Sequence, residues 1–130
     1  MRIATYNFLE RIAMGLSTHV LDTVHGMPAQ GMAVSFYTTA AGGAILVRRF
    51  TLDGDGRNPG GPLYESAALR AGTYRLVFEV AAYFRARGVE LPEPPFLNEV
   101  SLDFGVADIT QHYHVPLLVS PWSYSTYKGS

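Results

Sequence analysis

Apolar and polar side chains alternate along most of the chain with the two-residue period of β-strands. The clearest run is TYRLVFEV at residues 73–80, where one face is apolar and the other is mixed with two charged groups. Shorter runs bounded by Gly and Pro turn signals predict further strands at 16–23, 32–39, 44–53, 99–106, 112–119 and 123–128. Short strands at close spacing predict an all-β sandwich.

One segment breaks the strand period. Residues 81–87, AAYFRAR, are rich in helix formers and are followed by Gly88, the residue type that most often ends a helix. Three prolines between 92 and 95 then force an extended connection. The sequence therefore predicts one short helix between two strands.

The first thirteen residues carry the weakest pattern. Glu10 and Arg11 interrupt the apolar run that a secretory leader needs, and no stretch is long enough to span a bilayer. We therefore expect residues 1–13 to be a poorly ordered extension, followed by one domain over 14–130, in a cytoplasmic protein. We expect no membrane partner.

Composition restricts the chemistry. The chain has 130 residues, of which 48% are hydrophobic, and this suits one domain with a core. The absence of cysteine excludes disulfides, thiolate metal sites and a Cys nucleophile. A net charge of −1 without a run of Lys or Arg offers no surface for nucleic acid. We therefore expect a small molecule or a protein as partner.

The strand at 112–119 has an unusual second face. One face is apolar, and the opposite face carries His112, His114, Pro116 and Leu118. Two imidazoles beside apolar groups indicate a sheltered site or an assembly surface, not an ordinary solvent-facing strand. Because proline has no N–H, Pro116 requires a sheet edge or a strand irregularity.

Two further residues are candidates for a site. His19 lies in the first predicted strand, and Arg57 lies in a loop, 53–63, where six of the eleven residues are Gly or Pro. Such a backbone can approach a ligand closely. The DGDG stretch does not fit a calcium loop, because Arg57 occupies a ligand position and no glutamate closes the frame. His25, beside a turn glycine, is interpreted as structural.

Four separated motifs resemble the transthyretin family, and in particular its branch of 5-hydroxyisourate hydrolases. They are LSTHVLD at 16–22, DGR at 55–57, HYHVPLL at 112–118 and YKGS at 127–130. The histidines and the last tetrapeptide resemble the hydrolase branch alone. The helix and SPWSYST, at 120–126, resemble the whole family, including its hormone carriers.

The resemblance implies a transthyretin-like Greek-key sandwich of two four-stranded sheets with one short helix. It also implies a homotetramer, a dimer of dimers, in which edge strands pair within dimers and two active sites lie in the channel between them. The apolar groups beside the histidines at 112 and 114 fit a face that lines such a channel.

The reaction implied is hydrolysis of a ring amide in 5-hydroxyisourate, which gives 2-oxo-4-hydroxy-4-carboxy-5-ureidoimidazoline without a cofactor or metal. By resemblance, His19 and His114 orient and deprotonate water, and Arg57 binds and polarises the substrate. The resemblance also implies that Ser130 is catalytic. The residues that it implies bind substrate are His112, Tyr127, Lys128 and Gly129.

One position departs from the family pattern. The tetrapeptide usually has arginine where this chain has Lys128, which keeps the charge and loses the planar two-pronged donor. We favour a bracing role for this side chain over a bidentate contact with substrate.

Two other functions fit the residues. A zinc hydrolase could use His19, His112 and His114 as three ligands and leave a position for water. A non-catalytic carrier of small aromatic ligands, as in the transthyretin branch, would use the same channel without chemistry. The zinc hydrolase would need metal for its activity, and the carrier would bind its ligand without turning it over.

Overall fold

The computed structural model describes residues 15–40, 42–64 and 69–129. The predicted extension at 1–13 and the predicted site residue Ser130 lie outside these ranges. The strands in chain order are β1 Leu16–Asp22, β2 Met27–Pro28, β3 Ala33–Thr38, β4 Ile45–Thr51, β5 Gly72–Phe78, β6 Val100–Val106, β7 Tyr113–Val119 and β8 Tyr124–Thr126. One helix, α1 Val80–Ala86, lies between β5 and β6.

The strands form two four-stranded sheets that share one core. One sheet has the order β2-β1-β7-β8, and the other has the order β4-β3-β5-β6. Val20, Leu76 and Leu117 contribute fully buried side chains from both sheets. Each such burial stabilises the fold by about 1.5–3 kcal/mol relative to exposure. The all-β sandwich of two four-stranded sheets with one short helix is confirmed.

Most predicted strands exist but are one to three residues shorter. Val80, predicted as the last residue of a strand, instead begins α1, because β5 stops pairing with β6 at Phe78 and the N–H of Glu79 donates to Ala33 across the sheet. The two-residue strand β2 was not predicted, since Met27–Pro28 lies inside a turn signal and is too short to show a period.

Helix α1 closes one side of the core with Val80, Ala81, Tyr83 and Phe84, all of which are buried. The Tyr83 hydroxyl donates to the carboxylate of Asp22, 2.8 Å away, and ties the helix to the end of β1. Within the described ranges, no helix has the length and hydrophobicity needed to cross a membrane.

Strand β7 lies between two neighbours, parallel to β1 and antiparallel to β8. Pairing with β8 stops after Thr126 and resumes at a bridge between His114 and Gly129. The gap falls at Pro116, whose missing N–H faces Tyr127 in this register. The hydroxyl of Thr126 donates to the Pro116 carbonyl instead, at 2.7 Å. The strand irregularity expected at the proline is present.

Candidate active site on the outer face of β1 and β7

The outward faces of β1 and β7 bring two of the predicted site histidines together. In the parallel register Ser17 lies opposite His114, and His19 lies opposite Pro116. The imidazole rings of His19 and His114 have centroids 6.2 Å apart and are tilted by 34°. Side chains two residues apart on a strand share a face, so all four residues border one surface.

The Gly-rich loop places Arg57 beside His19. An antiparallel bridge pairs the two residues, and the N–H of Val20 donates to Gly56 at 2.9 Å. Because partners in such a bridge project to the same side, Arg57 shares the outward face with His19. Gly56 makes this approach possible, since its φ is +73° and a Cβ there would lie 2.6 Å from the Val20 carbonyl oxygen.

Asn58 fixes the loop in this position. Its side-chain oxygen accepts the N–H of Thr18 at 2.9 Å, and its amide nitrogen donates to the Gly61 carbonyl at 2.6 Å. The residue is buried. Sequence reasoning missed it, although a polar side chain directly after Arg57 in a loop was the available signal.

His114 is held from two sides. Ser17 Oγ lies 2.8 Å from His114 Nδ1. On the other side Gly129 lies so close that a Cβ there would be 3.0 Å from His114 Cδ2, and the two backbones exchange hydrogen bonds of 2.7 and 3.3 Å. Nε2 is the ring nitrogen without a hydrogen bond to a described residue. Sequence reasoning missed Ser17 as well, although its place two residues before His19 put it on the same strand face.

Burial, the charge of Arg57 and the neighbouring rings of His19 and His112 together lower the pKa of His114 from 6.5 to about 4. Burial is the largest of these causes, larger than the repulsion from the Arg57 guanidinium. His114 is therefore neutral at neutral pH.

Of the remaining predicted residues, the structure describes His112, Tyr127 and Lys128 next to β7 and after β8. Tyr127 is exposed, and His112 directly precedes β7. The Nζ atom of Lys128 lies 5.1 Å from the centre of the Tyr113 ring and 3.4 Å from Gln111 Oε1. These two contacts fit the bracing role favoured for Lys128, because they hold its ammonium against the start of β7.

In the part of the chain that the structure describes, no three His, Asp or Glu side chains are grouped so that they could hold a metal ion. The rings of His19 and His114, with centroids 6.2 Å apart, therefore do not form a three-ligand metal site with a third described side chain. The geometry supports an arrangement of two imidazoles and a guanidinium on one sheet face.

Fold and site together define a two-sheet sandwich with a cluster of histidine and arginine on an outer sheet face. The HIUase/Transthyretin family model matches residues 16–129, and the chain belongs to this family. It is 51% identical to 5-hydroxyisourate hydrolase 2 of Rhizobium meliloti over 115 residues, which are 88% of this chain and 95% of that protein. It is also 51% identical to 5-hydroxyisourate hydrolase of Ralstonia nicotianae over 88% of this chain and 97% of that one.

Solved structures of both branches are similar. A crystal structure of (S)-allantoin synthase matches 88% of this chain with a TM-score of 0.84 and 42% identity, and the chain spans 43% of that protein. The 5-hydroxyisourate hydrolase of Klebsiella pneumoniae matches with a TM-score of 0.70 and 32% identity, covering 88% of this chain and 92% of that one. Sea bream transthyretin in complex with thyroxine matches with a TM-score of 0.78 and 29% identity, covering 88% and 94%.

Proposed function

We propose that this chain hydrolyses 5-hydroxyisourate, opening the six-membered ring to give 2-oxo-4-hydroxy-4-carboxy-5-ureidoimidazoline in the degradation of urate. One observation carries the proposal: His19, Arg57 and His114 come from three separate parts of the chain and meet on one sheet face. The identity of 51% to named 5-hydroxyisourate hydrolases supports the choice of substrate.

The residues match the needs of the reaction. Water must lose a proton as it attacks a carbonyl carbon, and negative charge develops on the carbonyl oxygen. An imidazole can take the proton, and Arg57 is a permanent cation with a fork of donors that suits an oxygen or a ring nitrogen. In this proposal Tyr127, Gly129 and Ser130 close the pocket, and His112 forms part of its wall.

The direct test generates 5-hydroxyisourate with urate oxidase and follows its ultraviolet absorbance with and without the protein. The protein should accelerate the decay above the spontaneous rate, and Arg57→Ala should lose most of the acceleration. Arg85→Ala, which removes an arginine on α1, is the matched control and should retain it. A protein that binds thyroxine and leaves the decay unchanged would instead be a carrier of the transthyretin type.

We propose further that the active form is a cytoplasmic homotetramer, a dimer of dimers. Leu21 and Leu118 pair on the same outward face as the histidines, and burying them between dimers removes apolar area from water. Strands β6 and β8 each border their sheet on one side and can pair with a second copy. Light scattering at micromolar concentration tests this proposal, and a fully active monomer would contradict it.

The proposed reaction uses no metal. Extensive dialysis against a chelator should leave the rate intact. Activity lost on dialysis and regained with stoichiometric zinc would favour the three-histidine zinc site instead.

A further inference from the structure

We propose that Ser17 holds His114 in the tautomer that carries its hydrogen on Nε2, so that His114 donates to the substrate carbonyl oxygen and His19 is the base. The inference rests on the proposed hydrolase function and divides its chemistry between the two histidines. Ser17 is a positioning residue, because it acts on the substrate only through the ring of His114.

The hydrogen bond between Ser17 and His114 sets the tautomer. Ser17 is 5% exposed, and within the described residues the only hydrogen-bond partner of its Oγ is His114 Nδ1, at 2.8 Å. If Nδ1 carried a hydrogen and donated it, the hydroxyl hydrogen of Ser17 would be buried without an acceptor, which is costly. If the hydroxyl donates, its hydrogen is satisfied and Nδ1 is the acceptor. In a neutral imidazole the hydrogen then lies on Nε2.

The basicity of His114 agrees with this assignment. A pKa of about 4 makes the ring a weak base at neutral pH, whereas a general base works best when its pKa is near the working pH. A neutral imidazole N–H can nevertheless polarise a carbonyl. Because Ser17 and Gly129 occupy the Nδ1 and Cδ2 sides of the ring, Nε2 lies on the open side, where a substrate can reach it.

His19 is placed to act as the base that takes a proton from water. Among the described residues no side chain hydrogen-bonds its ring, so either nitrogen can present a lone pair. Its ring centroid lies 6.2 Å from that of His114, so a carbonyl group and a water molecule bound beside the two rings can be reached from both. Arg57 is its bridge partner on the outward face.

The step balances with water as the only co-reactant. Water gives a proton to His19 as its oxygen forms a bond to the ring carbonyl carbon, and the charged carbonyl oxygen accepts hydrogen bonds from His114 Nε2–H and Arg57. The carbon–nitrogen bond of the ring then breaks, and the leaving nitrogen takes the proton from His19. These changes give a carboxylic acid and a ureido group, and the acid then loses its proton to solvent to become the carboxylate.

The first test is ¹⁵N nuclear magnetic resonance of the protein with labelled histidine at neutral pH. For His114 we expect a pyrrole-like Nε2 and a pyridine-like Nδ1, and in Ser17→Ala an averaged pair of shifts because the donor is gone. Ser17→Thr keeps the hydroxyl and should restore the wild-type pattern. Ser35→Ala, a buried strand serine in the other sheet, is the control. A pyridine-like Nε2 in the wild type would overturn the proposal.

The second test replaces each of the two histidines by glutamine and by alanine. Glutamine can donate a hydrogen bond but cannot act as a base. Glutamine places an amide N–H near the position of Nε2, so His114→Gln should retain at least tenfold more kcat than His114→Ala, which loses about 100-fold as expected for a donor to a developing oxyanion. His19→Gln should be as poor as His19→Ala. If glutamine retained more kcat than alanine at position 19 and not at position 114, His19 would be the donor and His114 the base. If the wild type proves inactive, the hydrolase function fails, while the spectrum still decides the tautomer.

Discussion

The main-chain N–H of Thr18 donates to the side-chain oxygen of Asn58 at 2.9 Å, in a buried contact between β1 and the Gly-rich loop. The contact lies one residue from His19 on the strand and one residue from Arg57 on the loop. It therefore sets the distance between the base and the cation of the proposed reaction without touching substrate. Two backbone hydrogen bonds hold the same loop, from the N–H of Val20 to the Gly56 carbonyl and from the N–H of Asp53 to the Arg57 carbonyl, both at 2.9 Å.

Asn58→Ala should reduce kcat/KM by on the order of 100-fold, because a displacement of about 1 Å at a positioning group has an effect of that size. The free energy of unfolding should fall by about 1–3 kcal/mol, since the N–H of Thr18 would be buried without an acceptor. Steady-state kinetics and urea denaturation measure the two effects.

Asn98→Ala is the matched control, because Asn98 is exposed on the connection that precedes β6. It should change neither quantity. An Asn58→Ala protein that loses stability but keeps full activity would show that Arg57 is held by other contacts.

The sequence revealed the roles of residues that depend on local patterns. It did not reveal the roles of residues whose contact partners lie far away along the chain. Alternation along 112–119 is a local property, and it predicts correctly that His114 and Leu118 lie on the less buried face of the strand. The roles of Ser17 and Asn58 depend on partners 97 and 40 residues away, so no local period can report them. The family motifs supplied the long-range information that brought His19, Arg57 and His114 together.

Gly129→Ala should lower activity while leaving the fold nearly as stable. A Cβ at 129 would lie 3.0 Å from His114 Cδ2 and 3.1 Å from its Cβ, so the ring must shift by a few tenths of an ångström. We expect a loss of kcat on the order of tenfold. Gly54→Ala is the control, because a Cβ there meets open space. Full activity in Gly129→Ala would mean that the position of the ring is not critical.

Outside the site, Asp22 is a fully buried carboxylate that accepts hydrogen bonds from the backbone and ring of His25 and from the Tyr83 hydroxyl. Burial alone would raise its pKa, but these hydrogen bonds outweigh it and the pKa lies below the ordinary value of 3.8. The stabilisation is therefore present above pH 3.8 and is lost as the pH falls through the lowered value.

Tyr83→Phe should reduce the free energy of unfolding by about 1.5–3 kcal/mol at neutral pH, the usual value for a hydrogen bond to a charged group. The loss should shrink as the solution is acidified and Asp22 takes up a proton. Tyr37→Phe, at a half-buried tyrosine whose hydroxyl makes no hydrogen bond to a described residue, should have little effect. Equal losses in the two variants would assign the effect to packing, not to the bond with Asp22.

The last prediction separates two effects of Arg57: that of its charge on the pKa of His114, and that of its planar pair of donors on kcat. Arg57→Ala removes a positive charge that lowers the pKa of His114, so this pKa should rise above about 4. It should stay below 6.5, because burial is the larger cause of the shift and remains in the variant. Arg57→Lys keeps the charge and should leave the pKa of His114 near its original value, while kcat still falls because the planar fork is lost. Titration of the His114 ring by nuclear magnetic resonance measures the pKa in each protein. If Arg57→Ala lowers kcat and leaves the pKa of His114 unchanged, the guanidinium binds substrate but is too distant or too well solvated to tune the imidazole.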